Sequence, residues 1–196
     1  LLKEVHHRVK NNLQIISSLL NLQAAQIKDA AILNIFTETK NRVRSMALLH
    51  ETLYRTENLA RIDFPRYVDS LCAHLFRSYG VDTQRIGLQT AIASVTLDLD
   101  RAIPCGLIIN ELISNAVKYA FPEQRRGHVR VELQQLTGQR YQLQVGDNGI
   151  GLPPDLNLAQ TESLGLSLVY DLTRQLNGEI QVDCTAGTAF TICFGP

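Results

Sequence analysis

Tryptophan is absent from the 196 residues and methionine occurs once, so no binding or packing argument can rest on tryptophan. Neither sign of charge is in excess. Lys and Arg number 19, as do Asp and Glu, which removes the basic surplus that nucleic acid would call for and the acidic run of a disordered tail. No apolar run approaches the ~18 residues of a membrane span, and the opening LLKEVHHRVK has neither the apolar stretch nor the cleavage pattern of a signal peptide. Cys72, Cys105, Cys184 and Cys193 form no C-x-x-C pair. Buried reduced thiols are therefore expected in place of a disulfide framework or a zinc site, which favours a cytoplasmic location. What is present is a hydrophobic fraction of 45%, ordinary for a globular chain, and a length that suits one large or two small domains. The first residue already lies in a helical pattern, so the chain is expected to be a fragment.

Residues 1–28 contain no Gly or Pro, and Leu2, Val5, Val9, Leu13, Ile16, Leu20, Ala24 and Ile27 recur at spacings of three and four. That pattern predicts a long amphipathic helix. A second is predicted over residues 29–57, with Ile32, Phe36, Val43, Met46, Leu49 and Leu53 as its apolar positions. Two helices with one apolar stripe each would leave much of it wet, so a second copy is expected to complete a four-helix bundle as a homodimer. ARIDFP (residues 60–65) reads as a linker, with a boundary near residue 60 separating a domain of residues 1–60 from one of residues 61–196. Beyond it, Pro65 suits the first turn of a helix that runs to Gly80. Strands are predicted over residues 86–91 and 95–99, a helix over 102–120, and a hairpin of residues 129–134 and 141–145 around Thr137-Gly138. A Gly/Pro/Asn-rich segment, residues 147–163, leads into a helix over 164–176. Strands over 179–183 and 188–194 close the chain, turning at Ala186-Gly187. Hairpins interrupted by helices imply an α+β layered fold.

His6 and His7 are adjacent and cannot share a helix face. Steps of seven from His7 meet Gln14, Asn21 and Lys28, whereas steps of seven from His6 meet Leu13, Leu20 and Ile27. His7 is thus expected to face water and His6 to join the seam. A helical histidine is ordinarily a solvated or satisfied residue. Around His7, however, stand Lys3, Glu4, Lys10 and Asn11, a polar set able to orient an imidazole and meet phosphate oxygens. Nucleophilic attack needs a neutral ring nitrogen, so the other nitrogen needs an acceptor, which Glu4 or the Asn11 side-chain oxygen can supply. His50 falls in the heptad column of Phe36 and Val43 and reads as a polar seam residue; His74 and His128 stand in no recognisable constellation.

Three motifs gather in the second half. In NELISNAVKYAFP, Glu111, Asn115 and Lys118 share one helix face. An amide oxygen to ligate Mg²⁺, a carboxylate to hold its water and a lysine to meet phosphate suit an ion shared with substrate phosphates. An ordinary solvated face fits the same spacing. In DNGIGLP, Asp147 at a strand end can accept from an adenine amino group, and the glycines allow close ligand approach; a plain turn is the alternative. In SLGLSLV, a loop enters a helix whose first amides can bind phosphate, or Ser163 merely caps it. Thr188, in GTAF, can assist Asp147 or simply begin a strand.

In order and spacing these motifs resemble the sensor histidine kinases of two-component signalling. Residues 4–20, EVHHRVKNNLQIISSLL, are similar to the phosphoacceptor box of the subclass in which Arg follows the histidine. The four later motifs resemble the nucleotide boxes of the ATP-binding fold shared by gyrase, Hsp90, histidine kinases and MutL. The resemblance implies an all-α helical hairpin, a four-helix bundle in the dimer, followed by an α+β two-layer ATP-binding sandwich. It implies ATP and Mg²⁺ as cofactors, phosphorylation of His7, and Glu111 as base or water-holder. It further implies Asn115 on Mg²⁺, Lys118 on phosphate, Asp147 on adenine, Tyr119, Leu166 and Thr188 at the nucleotide, and Gly149, Gly151 and Gly165 framing a mobile lid. The implied partners are a second copy, a response-regulator receiver whose aspartate takes the phosphoryl group, and an upstream sensor domain. Two departures stand out. Arg8 occupies the place of the acid that commonly follows the histidine, leaving Glu4 or Glu111 to substitute, and Asn110 precedes Glu111 with no tryptophan anywhere. The missing acid also suits a nucleotide-binding dimeric module or a regulator phosphatase without autokinase activity. A serine kinase or ATPase on the same fold is a third reading, which the histidine-bearing hairpin disfavours.

Overall fold

The computed structural model describes residues 2–55, 62–152 and 164–195. Two helices, α1 (Leu2–Ala24) and α2 (Ala30–Arg55), form a hairpin. Asp29 fixes the start of α2, its Oδ1 accepting from the amides of Ala31 at 2.8 Å and Ile32 at 3.1 Å, as an N-cap aspartate does for otherwise unpaired helix donors. Val9, Leu13, Leu20 and Ala24 are half-buried. The expectation of a single apolar stripe per helix is corrected here. Val5, Ile16 and Ile32 of the predicted stripes are exposed, and so are Ile15, Leu19, Leu22, Leu33 and Ile35, which lie outside them.

The second half of α2 is shared with the rest of the chain. Asn41, Ser45, Ala47 and Leu49 are buried, and α2 packs on α3 (Phe64–Ser78), α4 (Leu99–Asn115) and the short strand β1 (Ile62–Asp63). Asp63 caps α3 by accepting from the Arg66 amide, and Pro65 occupies its first turn, where the missing N–H costs nothing. Ile62 and Asp63, read from sequence as linker, instead pair antiparallel with β3 (Thr96–Leu97). The domain boundary expected near residue 60 lies outside the described residues. The strand expected over 95–99 shrinks to β3, because Asp98 caps α4 and Leu99 already belongs to that helix.

The main sheet has five strands in the order β2-β4-β5-β7-β6: β2 (Ile86–Ile92), β4 (Gly127–Gln135), β5 (Tyr141–Asp147), β6 (Glu179–Asp183) and β7 (Thr188–Phe194). β2 runs parallel to β4, and the other pairs are antiparallel. Val129, Val131, Leu133, Leu143, Val145, Phe190, Ile192 and Phe194 are buried. Their spacing of two puts them on one face of the sheet. There they meet α3, α4 and α5 (Leu164–Gln175) to give two layers around one core. The helix predicted over 102–120 is α4 plus a widened π turn at Ala116–Ala120, a local irregularity common at functional sites. Cys72 and Cys105 are buried free thiols, which burial pushes up, Cys72 to about 12. Cys184, contrary to expectation, is exposed.

Candidate nucleotide and phosphoacceptor sites

His7 is exposed on α1, on the polar side that the heptad argument assigned to it. Its Nδ1 lies 3.5 Å from the Asn11 side-chain nitrogen one turn on, a long contact that presents the ring with an amide donor and not with the acceptor oxygen expected from the sequence. Glu4 does not take that place. Its Oε1 accepts from Arg8 Nε at 3.2 Å and Nη2 at 2.8 Å, because the guanidinium of the following turn offers a charge-assisted pair that an imidazole N–H cannot match.

Most of the other predicted residues converge on a cavity of roughly 540 Å³ between α4, the π turn, β5, β7 and the start of α5. Glu111, Asn115, Tyr119, Asp147, Gly151, Gly165, Leu166 and Thr188 all line it, a size typical of small-molecule sites. Asp147 ends β5 and is the ladder partner of Thr188 on β7. Its Oδ1 accepts from the Gly149 amide at 2.8 Å. Burial nonetheless raises its carboxyl above the ordinary range, against the lowering effect of the Gly149 and Thr188 amides. Gly149 does not line the cavity but sits where a Cβ would lie 2.2 Å from the Ala120 carbonyl oxygen, so only glycine lets the loop pack under the π turn. Asn148 completes the turn by accepting from the His128 amide at 2.7 Å. Of the lid expected to be framed by Gly149, Gly151 and Gly165, residues 153–163 lie outside the described residues, and so does the Ser163 cap.

Glu111 and Lys118 have partners that the local spacing did not foretell. Arg42 of α2 donates from Nε to Oε1 and from Nη2 to Oε2 of Glu111, both at 2.7 Å. Asn110 donates to the same Oε1 at 2.9 Å. The Glu111 side chain is 4% exposed. Burial works against the Arg42 charge, but the hydrogen bond to Glu111 outweighs it and raises the guanidinium pKa. Lys118 does not line the cavity. Its ammonium pairs with Glu38 of α2 and lies 5.5 Å from the centre of the Tyr79 ring. Glu38 itself lines the cavity, between Lys118 and Arg42, the latter 3.8 Å away. Glu38, Arg42 and Asn148 were missed from sequence. The first two carry a visible signal, opposite charges one turn apart on α2, but that spacing is common on any solvated helix.

Comparison with known proteins agrees with both halves. Residues 4–79 match a family described as histidine kinase, and residues 101–196 match the histidine kinase-, DNA gyrase B- and HSP90-like ATPases. The chain is 32% identical over 181 residues to the sensor histidine kinase PdtaS of Mycobacterium tuberculosis, covering 91% of this chain and 36% of that protein. It is 26% identical over 197 residues to blue-light-activated histidine kinase 2 of Erythrobacter litoralis, covering 97% and 55%. The chain thus spans between about a third and just over half of the length of these relatives. The solved histidine kinase domain of E. litoralis EL346 superposes with a TM-score of 0.75 at 26% identity, over 99% of this chain and 90% of that one. With the two family matches falling in the expected order and together spanning most of its length, the chain belongs to the sensor histidine kinases and carries their catalytic core.

Proposed function

We propose that this chain binds ATP in the cavity between α4, β5 and β7 and transfers its γ-phosphate to His7. The single observation that carries the reading is the convergence of Glu111, Asn115, Asp147 and Thr188 on one cavity, in a chain whose hairpin presents an exposed histidine. Asp147 receives the adenine amino group, with Thr188 beside it. Gly165 and Leu166, at the start of α5, bring backbone amides to the phosphates, and Lys118 meets phosphate once free of Glu38. Tyr119, 67% exposed at the rim, covers the nucleotide.

Mg²⁺ fits the donor set. Asn115 offers an amide oxygen on the cavity wall and Glu111 a carboxylate beside it, which suits an ion that keeps its waters and leans on substrate phosphates. Asn115 would hold it, with Glu111 holding a water or acting as base. The ion would neutralise phosphate charge in a transfer that depends mainly on positioning. Residues 1–60 act as the dimerisation and phosphoacceptor domain and residues 61–196 as the ATP-binding domain. A second copy covers the exposed apolar residues of α1 and α2, and a response-regulator aspartate then takes the phosphoryl group from His7. A sensor segment outside this chain and a cytoplasmic location complete the proposal.

Incubation with γ-labelled ATP and Mg²⁺ tests it, comparing the chain with His7→Gln and His6→Gln. An acid-labile, alkali-stable label lost only in His7→Gln is expected. The Arg42 grip on Glu111 favours a second reading, a nucleotide-binding module or regulator phosphatase without autokinase activity. ATP binding with no label in any variant would establish that reading instead.

A further inference from the structure

Glu38 belongs to the histidine-bearing hairpin, yet its carboxylate enters the cavity assigned above to nucleotide. It is the one lining residue that the hairpin contributes among those described. There it pairs with the ammonium of Lys118, the cation proposed to meet phosphate. The Lys118 side chain is 17% exposed and lies against the Tyr79 ring, so little of it remains open to another anion while Glu38 is in place. Charge bookkeeping points the same way. Glu38 and Glu111 offset Arg42 and Lys118, and Asp147 adds a third carboxylate to the lining, so the cavity and the cations beside it carry no net positive charge with which to attract a polyphosphate. A cation opens to phosphate only if its carboxylate partner leaves. Glu111 is held by three donors, from Arg42 and Asn110. Glu38 has a 31% exposed side chain and a weaker contact to Arg42 at 3.8 Å, which makes it the carboxylate that can swing out.

We propose that Glu38 is a built-in competitor for the nucleotide's phosphates: its carboxylate occupies Lys118, and ATP binds fully only by displacing it. The inference rests on the nucleotide reading of the cavity and adds the residue that sets phosphate affinity. Carboxylate and phosphate oxygens both accept charge-assisted bonds from an ammonium, so the exchange replaces one ion pair by another. Adenosine, which has no phosphate, need not disturb Glu38. ATP and ADP must. Displacement also removes one of the two ion pairs that join α2 to the ATP-binding half among the described residues, leaving Arg42–Glu111, so phosphate entry loosens the hairpin from the site.

Equilibrium binding of ATP, ADP and adenosine with Mg²⁺, measured by calorimetry on the 196-residue chain, on Glu38→Gln and on Lys118→Met with and without Glu38→Gln, tests the proposal. Glu38→Gln is near-isosteric at a partly exposed helix position, and its circular dichroism melt checks that the fold is kept. The expected result is ATP and ADP affinity at least fivefold tighter in Glu38→Gln, adenosine affinity unchanged, and no gain from Glu38→Gln once Lys118 is Met. An equal gain for adenosine, no gain for ATP, or a gain that persists without Lys118 overturns it. If neither ATP nor adenosine binds any variant, the nucleotide reading itself fails; if they bind normally and only the Glu38 effect is missing, that reading stands and the competitor alone is lost.

Discussion

Arg42 of α2 grips both carboxylate oxygens of Glu111 of α4 at 2.7 Å, across 69 positions of sequence. The pair is largely out of water, with side chains 15% and 4% exposed. Removing one member of such a pair strands the other charge, at a cost on the order of 3 kcal/mol. Arg42→Met is therefore expected to lower the urea midpoint markedly. Arg42→Met combined with Glu111→Leu should regain most of the loss, because two apolar side chains have no charge to desolvate. A double variant as unstable as the single one would show that Arg42 contributes through its aliphatic packing and not through the ion pair.

Asp147 carries a cost of its own. Burial raises its carboxyl above the ordinary value of 3.8, so the folded chain binds this proton more tightly than the unfolded one does. Its favourable contribution is complete below that ordinary value and is lost as pH rises through the folded one. At neutral pH the ionised group is a liability that Asn would not share. Asp147→Asn is expected to melt at the same or a higher temperature without nucleotide. ATP binding should fall by about ten- to a hundredfold, the usual worth of a hydrogen bond to a charged group. Scanning calorimetry and ATP titration at pH 7 read the two effects separately. A variant that melts lower and binds ATP unchanged would refute both parts.

The local elements were legible because each is declared within a few residues. β6 and β7 fall where alternation and the Ala186-Gly187 turn put them, with Gly187 at a φ of +105°. The β4–β5 hairpin turns through Gly138 at +72°. The shared side of Glu111 and Asn115 followed from helical spacing alone. Lys118 escaped that rule because the π turn carries it off the cavity wall toward Glu38. What required tertiary structure is hidden for a physical reason. Asn41 and Ser45 are polar and lie outside the apolar positions predicted for α2, yet both are fully buried where α2 meets α3 and α4: Ser78 donates to Asn41 and Tyr67 to the Ser45 carbonyl. Nor does any run of residues announce that β2 pairs parallel with β4, since parallel neighbours need no connecting turn.

The joint between α2, α3 and α4 turns on Gly106. A Cβ there would lie 2.0 Å from the Tyr67 hydroxyl oxygen and 2.8 Å from its Cζ. Tyr67 is 1% exposed and donates to the Ser45 carbonyl at 3.3 Å, so its ring has little room to retreat. Gly106→Ala is expected to cost about 1–3 kcal/mol through overpacking. Tyr67→Phe removes the nearest clashing atom, so the double variant should lose less than the sum of the single losses. Strict additivity in urea denaturation would show that the ring moves freely and that the contact is unimportant.

His74 predicts how stability responds to mild acid. It sits on α3 facing Arg44 and Lys40 of α2, with Arg77 on its own helix, and its Nε2 is buried with no hydrogen-bond partner among the described residues. Burial first, and then these three cations, lower its pKa below the ordinary 6.5. The unfolded chain therefore takes up a proton at a higher pH than the folded one does. Below about pH 6.5 the unfolded state holds more protons, so stability rises with pH across the window between the folded and ordinary values and is lost as pH falls through it. His74→Gln removes the titrating group while keeping a polar side chain of similar reach. The drop in urea midpoint between pH 7 and pH 5 is expected to be smaller in that variant than in the native chain. Equal drops would place the acid sensitivity elsewhere and make His74 a silent passenger in the α2–α3 groove.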